Sequence, residues 1–419
     1  MSIEQKSALG GITVVDLTRH MAGPYASLVL GDFGANVIKV ESVPRGDPTR
    51  HLGVHYIGDQ ATMFLTWNRN KRSICVDMRK PEGIALIKRL VKDADVFMEN
   101  YRPGVADDMG LGWAELQSIN PRLVYCSTNA WGSVGPWRDY PGTDPVVQAA
   151  SGVMSVTGER DGGPVMVGIP IADYCAAMLT VQAVLLGICA RNATRLGQHI
   201  ELSMLGSLLF GLTTRVGPYF ATGENPVRWG RSHSQVVPNQ TFKTKDGYAS
   251  MAVLLNENWA PFCEALGHPE LANDERFDTN PKRVERRDEL DAILNRIIET
   301  RSTAEWGERM HARQILFAPV HSFSEILNHP QTEANGFVID VEHPTVGPFK
   351  QIGPVIKMSD TPGSIRMAPP RLGEHTSEVL NEFGWSVEEI QELEQCGVIL
   401  KEARRGDSQQ RSSTIGTPK

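Results

Sequence analysis

Five short strand-like runs, the third led in by a basic cluster, separated by helical spacing and tight joins, constrain this chain more than any other feature. They are Thr13 to Leu17 (TVVDL), Asn36 to Glu41 (NVIKVE), Arg69 to Val76 (RNKRSICV), Asp95 to Glu99 (DVFME) and Leu123 to Ser127 (LVYCS). Each has the length and the branched side chains of a buried strand. Ala22-Gly23-Pro24 breaks the first run, and Tyr25 to Phe33 then has helical spacing. Lys80 to Val91 reads as a helix entered through Pro81. Strand, helix and strand with short joins demand parallel neighbours and a right-handed crossover. The expected class is therefore α/β. The dinucleotide fingerprint is missing from the first turn, where MAGPYA stands. The nearest match, Gly110 to Glu115, lacks the third glycine and follows no strand, which argues against a nicotinamide or flavin fold.

The pattern continues with a helix from Asp173 to about Arg191, a strand at Gln198 to Leu202 and a long helix over Ser203 to Phe220. Near Thr222 the texture changes. Gly223 to Asn239 reads as a linker, and Thr241 to Val253 as a hairpin turning at Lys245-Asp246-Gly247. Amphipathic helices are expected over Asn256 to Leu266, Pro281 to Thr300 and Thr303 to Arg313. Residues 223–330 thus read as a linker and a smaller α+β domain, after a large domain over 1–222. Strands follow at Gly336 to Val341 and Gly347 to Ile352, and helices within Pro369 to Phe383 and over Val387 to Cys396. The polar tail, 404–419, is expected to be disordered.

Composition excludes some functions. A net charge of -7 argues against a nucleic acid or an acidic membrane surface as partner, while leaving room for a local basic pocket. The six cysteines contain no CxxC pair, so a reduced, cytoplasmic protein without structural zinc is expected. MSIEQKSALGG lacks the apolar core of a signal peptide. The most apolar window, Ala176 to Ala190, is shorter than the ~20 residues of a membrane span.

Asp173 follows a Gly-Ile-Pro turn and opens a long apolar run. The plain reading is a helix cap, stabilising the first turn by ~0.5–2 kcal/mol. The sharper reading is that the same N–H groups hold Asp173 ionised as a nucleophile and could stabilise an oxyanion. Small neighbours, Gly168, Ala172, Ala176 and Ala177, would leave room for a ligand. Asp144 also precedes a helix, and a cap is again the default. His51 and His55 have i, i+4 spacing, but no third metal ligand is in view and no HExxH motif exists. The basic pieces Arg69-Asn70-Lys71-Arg72, Arg79 and Arg102 are either solvated charge or a convergence on phosphate.

The ordered set GITVVDL, Ala22-Gly23-Pro24, GANVIKVE, GDPTR, NRNKRSICVDMR, ADVFMENYRPG, NPRLVYCS, QAASGVMSVTG, VGIPIAD, GQHIELSM and PRLGEHT resembles the class III CoA-transferases over about residues 10 to 400. This is the family of formyl-CoA transferase and the carnitine CoA-transferase, related to the α-methylacyl-CoA racemases. The resemblance implies a Rossmann-like large domain built from both ends of the chain, with 331–403 returning to it and the smaller domain inserted. It implies an interlocked homodimer and no tightly bound cofactor, with CoA and acyl-CoA as substrates beside a small carboxylic acid. It makes Asp173 the catalytic nucleophile, passing through an aspartyl anhydride and an aspartyl-CoA thioester. CoA-binding positions carry over to Met21, Ala22, Ser42, Val76, Asp77, Met78, Arg79, Asn100, Tyr101, Arg102, Tyr140, Pro141, Gly142 and Thr143. Asp144 falls where the transferases have an acidic residue that positions the acid.

The chain departs from the pattern in places. Met21 stands where formyl-CoA transferase has Gln, and Ser42 and Asp108 where it has Arg. Its glycine-rich loop has no counterpart between Asn225 and Gly247, which counts against formate or oxalate. The alternatives are an α-methylacyl-CoA racemase and a non-catalytic acyl-CoA-binding relative. Thr143 stands where a racemase needs its His, and the intact Asp173 counts against the non-catalytic reading.

Overall fold

A computed structural model describes residues 7–401, and the tail at 404–419 lies outside them. The chain divides into two compact units. The larger takes its residues from up to 151, 167–217 and 335 onward, and the smaller from 152–166 and 218–334.

The larger unit opens with β1 (Thr13–Asp16), α1 (Ala22–Asp32), β2 (Asn36–Ser42) and β3 (Lys71–Val76). Then come α2 (Pro81–Lys92), β4 (Val96–Glu99), β5 (Val124–Asn129), α3 (Asp144–Ala150), α4 (Ile171–Thr194) and β6 (Gln198–Ser203). The first strands form where the branched runs predicted them, because each is buried on both sides of a parallel sheet. One face carries α1 and α4, with Ala26, Leu30, Val184 and Ile188 packed on Val14, Val37, Val96 and Val124. The other carries α2, with Leu86, Ile87 and Leu90 packed on Val15, Ile38, Ile74 and Phe97. Gly187 lets α4 lie close on the sheet, since a Cβ there would meet the Val124 side chain at 2.7 Å.

The expected helix over Ser203 to Phe220 is two helices, α5 (Met204–Gly211) and α6 (Thr213–Thr222). Ser203 ends β6 and caps α5 by accepting from the Gly206 N–H. The apolar window inside α4 belongs to a helix of 24 residues, long and apolar enough by length and composition to cross a membrane. Here one side of α4 joins the sheet core, and Leu185 and Leu186 are exposed.

The smaller unit holds β7 (Asn239–Lys243), β8 (Tyr248–Ala252), α7 (Trp259–Leu266), α8 (Arg287–Ile298), α9 (Thr303–His311) and β9 (Leu316–Pro319). Its antiparallel sheet runs β9-β8-β7 over a core of Phe242, Met251, Trp259, Phe262, Leu294 and Trp306. The helix expected over Pro281 to Thr300 is interrupted at Arg286, so α8 begins at Arg287. Residues 152–166, expected in the large domain, belong to this unit. The Gly230 N–H donates to the Gly158 carbonyl at 3.0 Å and Arg228 reaches the Gly162 carbonyl at 2.7 Å.

The larger unit resumes with the hairpin β10 (Val338–His343) and β11 (Gly347–Ile352), then α10 (Thr376–Glu382), α11 (Val387–Gln395) and β12 (Ile399–Leu400). The seven-stranded sheet runs β12-β3-β2-β1-β4-β5-β6, parallel except for β12, which pairs antiparallel with β3. Both ends of the chain thus build one sheet. From β1 the chain winds outward through β2 and β3, then returns to β4 on the other side, leaving a switch point between β1 and β4.

Candidate active site

The loops leaving the carboxyl ends of β1 to β5 gather almost every residue singled out for CoA. Met21 and Ala22 follow β1, Ser42 ends β2, and Val76 to Arg79 close β3. Asn100 to Arg102 follow β4, and Tyr140 to Thr143 lie on the connection from β5 to α3. At the switch point the loops are locked together. The Arg19 N–H donates to Asn100 Oδ1 at 2.8 Å, and Asn100 Nδ2 donates to the Arg19 carbonyl at 2.7 Å. Arg19, which the sequence reading passed over, sits with its guanidinium 4.8 Å above the Tyr101 ring and has no partner for Nε. With Ser42, Met78 and Tyr101 it lines a narrow crevice. Its only signal in sequence was a basic residue just after the first strand.

Individual residues play different parts. Val76 is fully buried in the sheet core, so its side chain packs rather than faces a ligand. Asp77 folds the turn into α2, accepting from the Arg79 backbone and holding its guanidinium at 2.8 Å. The Arg79 side chain is 79% exposed. Arg102 is exposed and reaches the Asp139 carbonyl at 3.4 Å. Both are arginines at the edge where anionic groups bind such sheets.

The cluster Arg69 to Arg72 fits neither expectation. It is neither solvated nor open to a phosphate. Arg69 forms a two-pronged pair with Asp32, Lys71 donates to the Pro24 carbonyl and Asn68, and Arg72 meets Glu378 and Glu382. His51 and His55 lie outside any helix, and His51 Nε2 instead meets the Arg45 carbonyl at 2.9 Å. Among the described residues no group of three His, Cys, Asp or Glu side chains could hold a metal.

Beneath the loops lies a buried ionic network. Asp16 accepts from Thr18 and Ser27, Lys39 bridges the Thr18 carbonyl and Asp47 at 2.8 Å, and Arg50 clamps Glu41 with two nitrogens at 2.7 Å each. Burial would raise Asp16, Glu41 and Asp47, but the facing cations and donors outweigh it and hold all three below the usual carboxylate range.

Asp173 is set differently. It lies in the first turn of α4, yet it caps nothing there, so the plain reading fails. The cap comes from another helix. Asp144, at the start of α3, accepts from the Ala172 N–H at 2.7 Å and the Asp173 N–H at 3.4 Å. Gln148, one turn along α3, donates to the other Asp144 oxygen at 2.7 Å. The Asp173 carboxyl accepts instead from the Ala22 N–H, at the start of α1. Three helix N-termini thus meet around two carboxyl groups, and among the described residues no cation is paired to either.

The expectation that α4 keeps Asp173 ionised is therefore corrected. Burial, and then the Asp144 charge, push its carboxyl up to about 7, with only the Ala22 N–H opposing. Ala172, Ala176 and Ala177 leave no room either. They are fully buried, while Gly168 is exposed. A carboxylate of this kind is basic and poorly solvated, which suits a nucleophile better than an ordinary surface carboxylate.

Comparison with known proteins identifies the family. The family described as CoA-transferase family III matches residues 9–376. The human succinyl-CoA:glutarate CoA-transferase is 37% identical over 93% of this chain and 90% of its own length. The succinate–glutarate CoA-transferase of Agrobacterium fabrum is 35% identical over 90% of this chain and 96% of its own. A solved CaiB/BaiF family protein from Brucella suis superposes with a TM-score of 0.81 at 34% identity, covering 90% of this chain and all of that one. With the family matched over residues 9–376 and these relatives aligned over nine-tenths or more of both chains, the chain belongs to CoA-transferase family III.

Proposed function

We propose that Asp173 is the covalent nucleophile of this CoA-transferase, and that the acids exchanged are short dicarboxylates. The observation that carries the first part is the Asp173 carboxyl itself, half-buried, uncapping and cation-free beside a residue of the CoA edge. The second part rests on the human and A. fabrum relatives, whose names give succinate and glutarate as their acids.

In this reading an Asp173 oxygen attacks the thioester carbonyl of bound acyl-CoA. The C–S bond breaks, leaving an aspartyl anhydride and CoA thiolate. The thiolate attacks the aspartyl carbonyl, expels the first acid as its carboxylate, and forms an aspartyl-CoA thioester. The acceptor carboxylate attacks that thioester, its C–S bond breaks to release CoA thiolate again, and a second anhydride forms. The thiolate then takes the acceptor acyl group, and Asp173 is free again. Each step exchanges one activated acyl group for another, so none needs an outside energy source. Arg79 and Arg102 would meet the CoA phosphates as charge-assisted donors, and Arg19 would serve the crevice it lines with Ser42, Met78 and Tyr101. Asp144 would help to position the acid.

The assembly is read as an interlocked homodimer. Its support is the apolar face of α4 and α5, where Leu186 and Phe210 are each 69% exposed, together with one sheet built from both chain ends. A native mass of one chain, 46.1 kDa, would refute it.

The test of the nucleophile is trapping. Protein incubated with succinyl-CoA and then hydroxylamine should carry a hydroxamate on the peptide containing Asp173, seen by mass spectrometry. A hydroxamate on another carboxylate, or none while transfer proceeds, removes Asp173 from this role.

A further inference from the structure

We infer that Gln148 is a positioning residue for the transfer reaction: its side chain holds the Asp144 carboxylate over the first turn of α4, so that Asp144 takes the N–H groups there and Asp173 is kept from them. This rests on Asp173 being the nucleophile.

The Gln148 amide has one orientation open to it. The Val167 N–H donates to its Oε1 at 2.9 Å, and a backbone N–H can only donate, so the oxygen must lie on that side. Nε2 therefore faces Asp144, donating to Oδ2 at 2.7 Å, with the Ile169 carbonyl at 3.4 Å as a second acceptor. Gln148 is 1% exposed. One buried amide thus ties α3 to the segment that enters α4 and fixes the carboxylate between them. The other Asp144 oxygen is fixed in turn on the Ala172 N–H, and more loosely on that of Asp173.

The consequence falls on the nucleophile. The N–H groups at the head of α4 would otherwise favour an ionised Asp173. Gln148 and Asp144 spend them elsewhere and add a negative charge, and the Asp173 carboxyl rises with burial and with that charge. The other titratable groups around it are Tyr25 on α1 and Tyr174 and Cys175 on α4, with the two tyrosine rings in contact at 5.6 Å. The adjoining α5 carries none. Asp144 is thus the one carboxylate acting on it, and its position depends on Gln148.

The experiment measures CoA transfer from succinyl-CoA to glutarate against pH, with Gln148→Met, Gln148→Glu, Asp144→Asn and the double Gln148→Met/Asp144→Asn variant. Met fills the space without hydrogen bonds. Glu keeps the acceptor for the Val167 N–H but has no amide for Asp144. Asn at 144 caps as Asp does but removes the charge. The acid limb of kcat/KM should lie near pH 7 in the unmodified protein. It should move down by about one unit in Gln148→Met and Asp144→Asn, and should not move down in Gln148→Glu, whose carboxyl adds a second negative charge to the pair. kcat should fall about tenfold in Gln148→Met, with the KM for succinyl-CoA unchanged. The double variant should show no further shift beyond Asp144→Asn, because both act through one charge. An unmoved acid limb in Gln148→Met or in Asp144→Asn, or additive shifts in the double variant, would overturn the inference. If Gln148→Met does not fold, Gln148→Leu, equally uncharged and without an amide, takes its place beside Asp144→Asn. Hydroxylamine trapping on the unmodified protein separates the two failures, since a hydroxamate at Asp173 leaves the nucleophile standing even when Gln148 has no effect on pH.

Discussion

Two groups of buried carboxylates sit at the carboxyl edge of one sheet and are treated in opposite ways. Asp16, Glu41 and Asp47 are buried beside Lys71, Arg50 and Lys39, and all three are held in their ionised form. Asp144 is buried and Asp173 half-buried, with helix N–H groups and the Gln148 amide as their partners, and Asp173 is pushed up to about 7. The same cost of burial is met in one place by cations and in the other left partly unmet. The first group fixes loops. In the proposed mechanism the second stores reactivity, since a carboxylate that water and cations do not stabilise is the better nucleophile.

Replacing Asp173 breaks the second group most sharply. Asp173→Asn should lower CoA transfer by about 10³-fold or more while CoA still binds, measured as kcat with succinyl-CoA and glutarate. Near-normal turnover would return Asp173 to a structural role. The same variant should be the more stable protein above pH 7, by roughly 1–3 kcal/mol. The sign follows from the raised carboxyl. Between about pH 4 and 7 the folded protein binds more protons there than the unfolded chain, so stability falls as pH rises through that window. Asn has no such loss, so its advantage should vanish near pH 4 in thermal unfolding.

In the first group, Lys39→Met should be costly in stability instead. It leaves Asp47 buried and unpaired, a loss of about 3–5 kcal/mol, read as a lower urea midpoint. A silent Lys39→Met would mean that the two groups do not differ as argued. The exposed arginines should give the smallest effect. Arg79→Ala with Arg102→Ala should weaken CoA binding about tenfold at low salt and less at high salt, seen by calorimetry. An unchanged affinity would move the phosphates elsewhere on the edge.

The contrast also marks what could be read from sequence. The strands of the large sheet were legible because their burial is a property of consecutive residues, as in TVVDL. Asp173 was legible as a carboxylate in a first helical turn. Its real surroundings were not, because its N–H donor is 151 positions away at Ala22 and the acid beside it opens another helix. The Arg69 to Arg72 cluster misled for the same reason. Arg72 finds its carboxylates at Glu378 and Glu382, some three hundred positions downstream, and no local pattern announces them. Residues 152–166 look like a loop of the large domain until Gly230 and Arg228 reach back to them.

The pairing of β12 with β3 bears on how the protein is made. A chain emerging from the ribosome presents β1 to β6 long before residues 399–400 exist. Until then β3 is an open edge, with backbone groups that any passing strand could match. Arg72 meanwhile awaits Glu378 and Glu382, and Arg50 the Pro370 carbonyl. A strand made late therefore closes the sheet, and a nascent chain stopped before it would carry an unsealed edge and an Arg72 without its carboxylates, both of which favour aggregation.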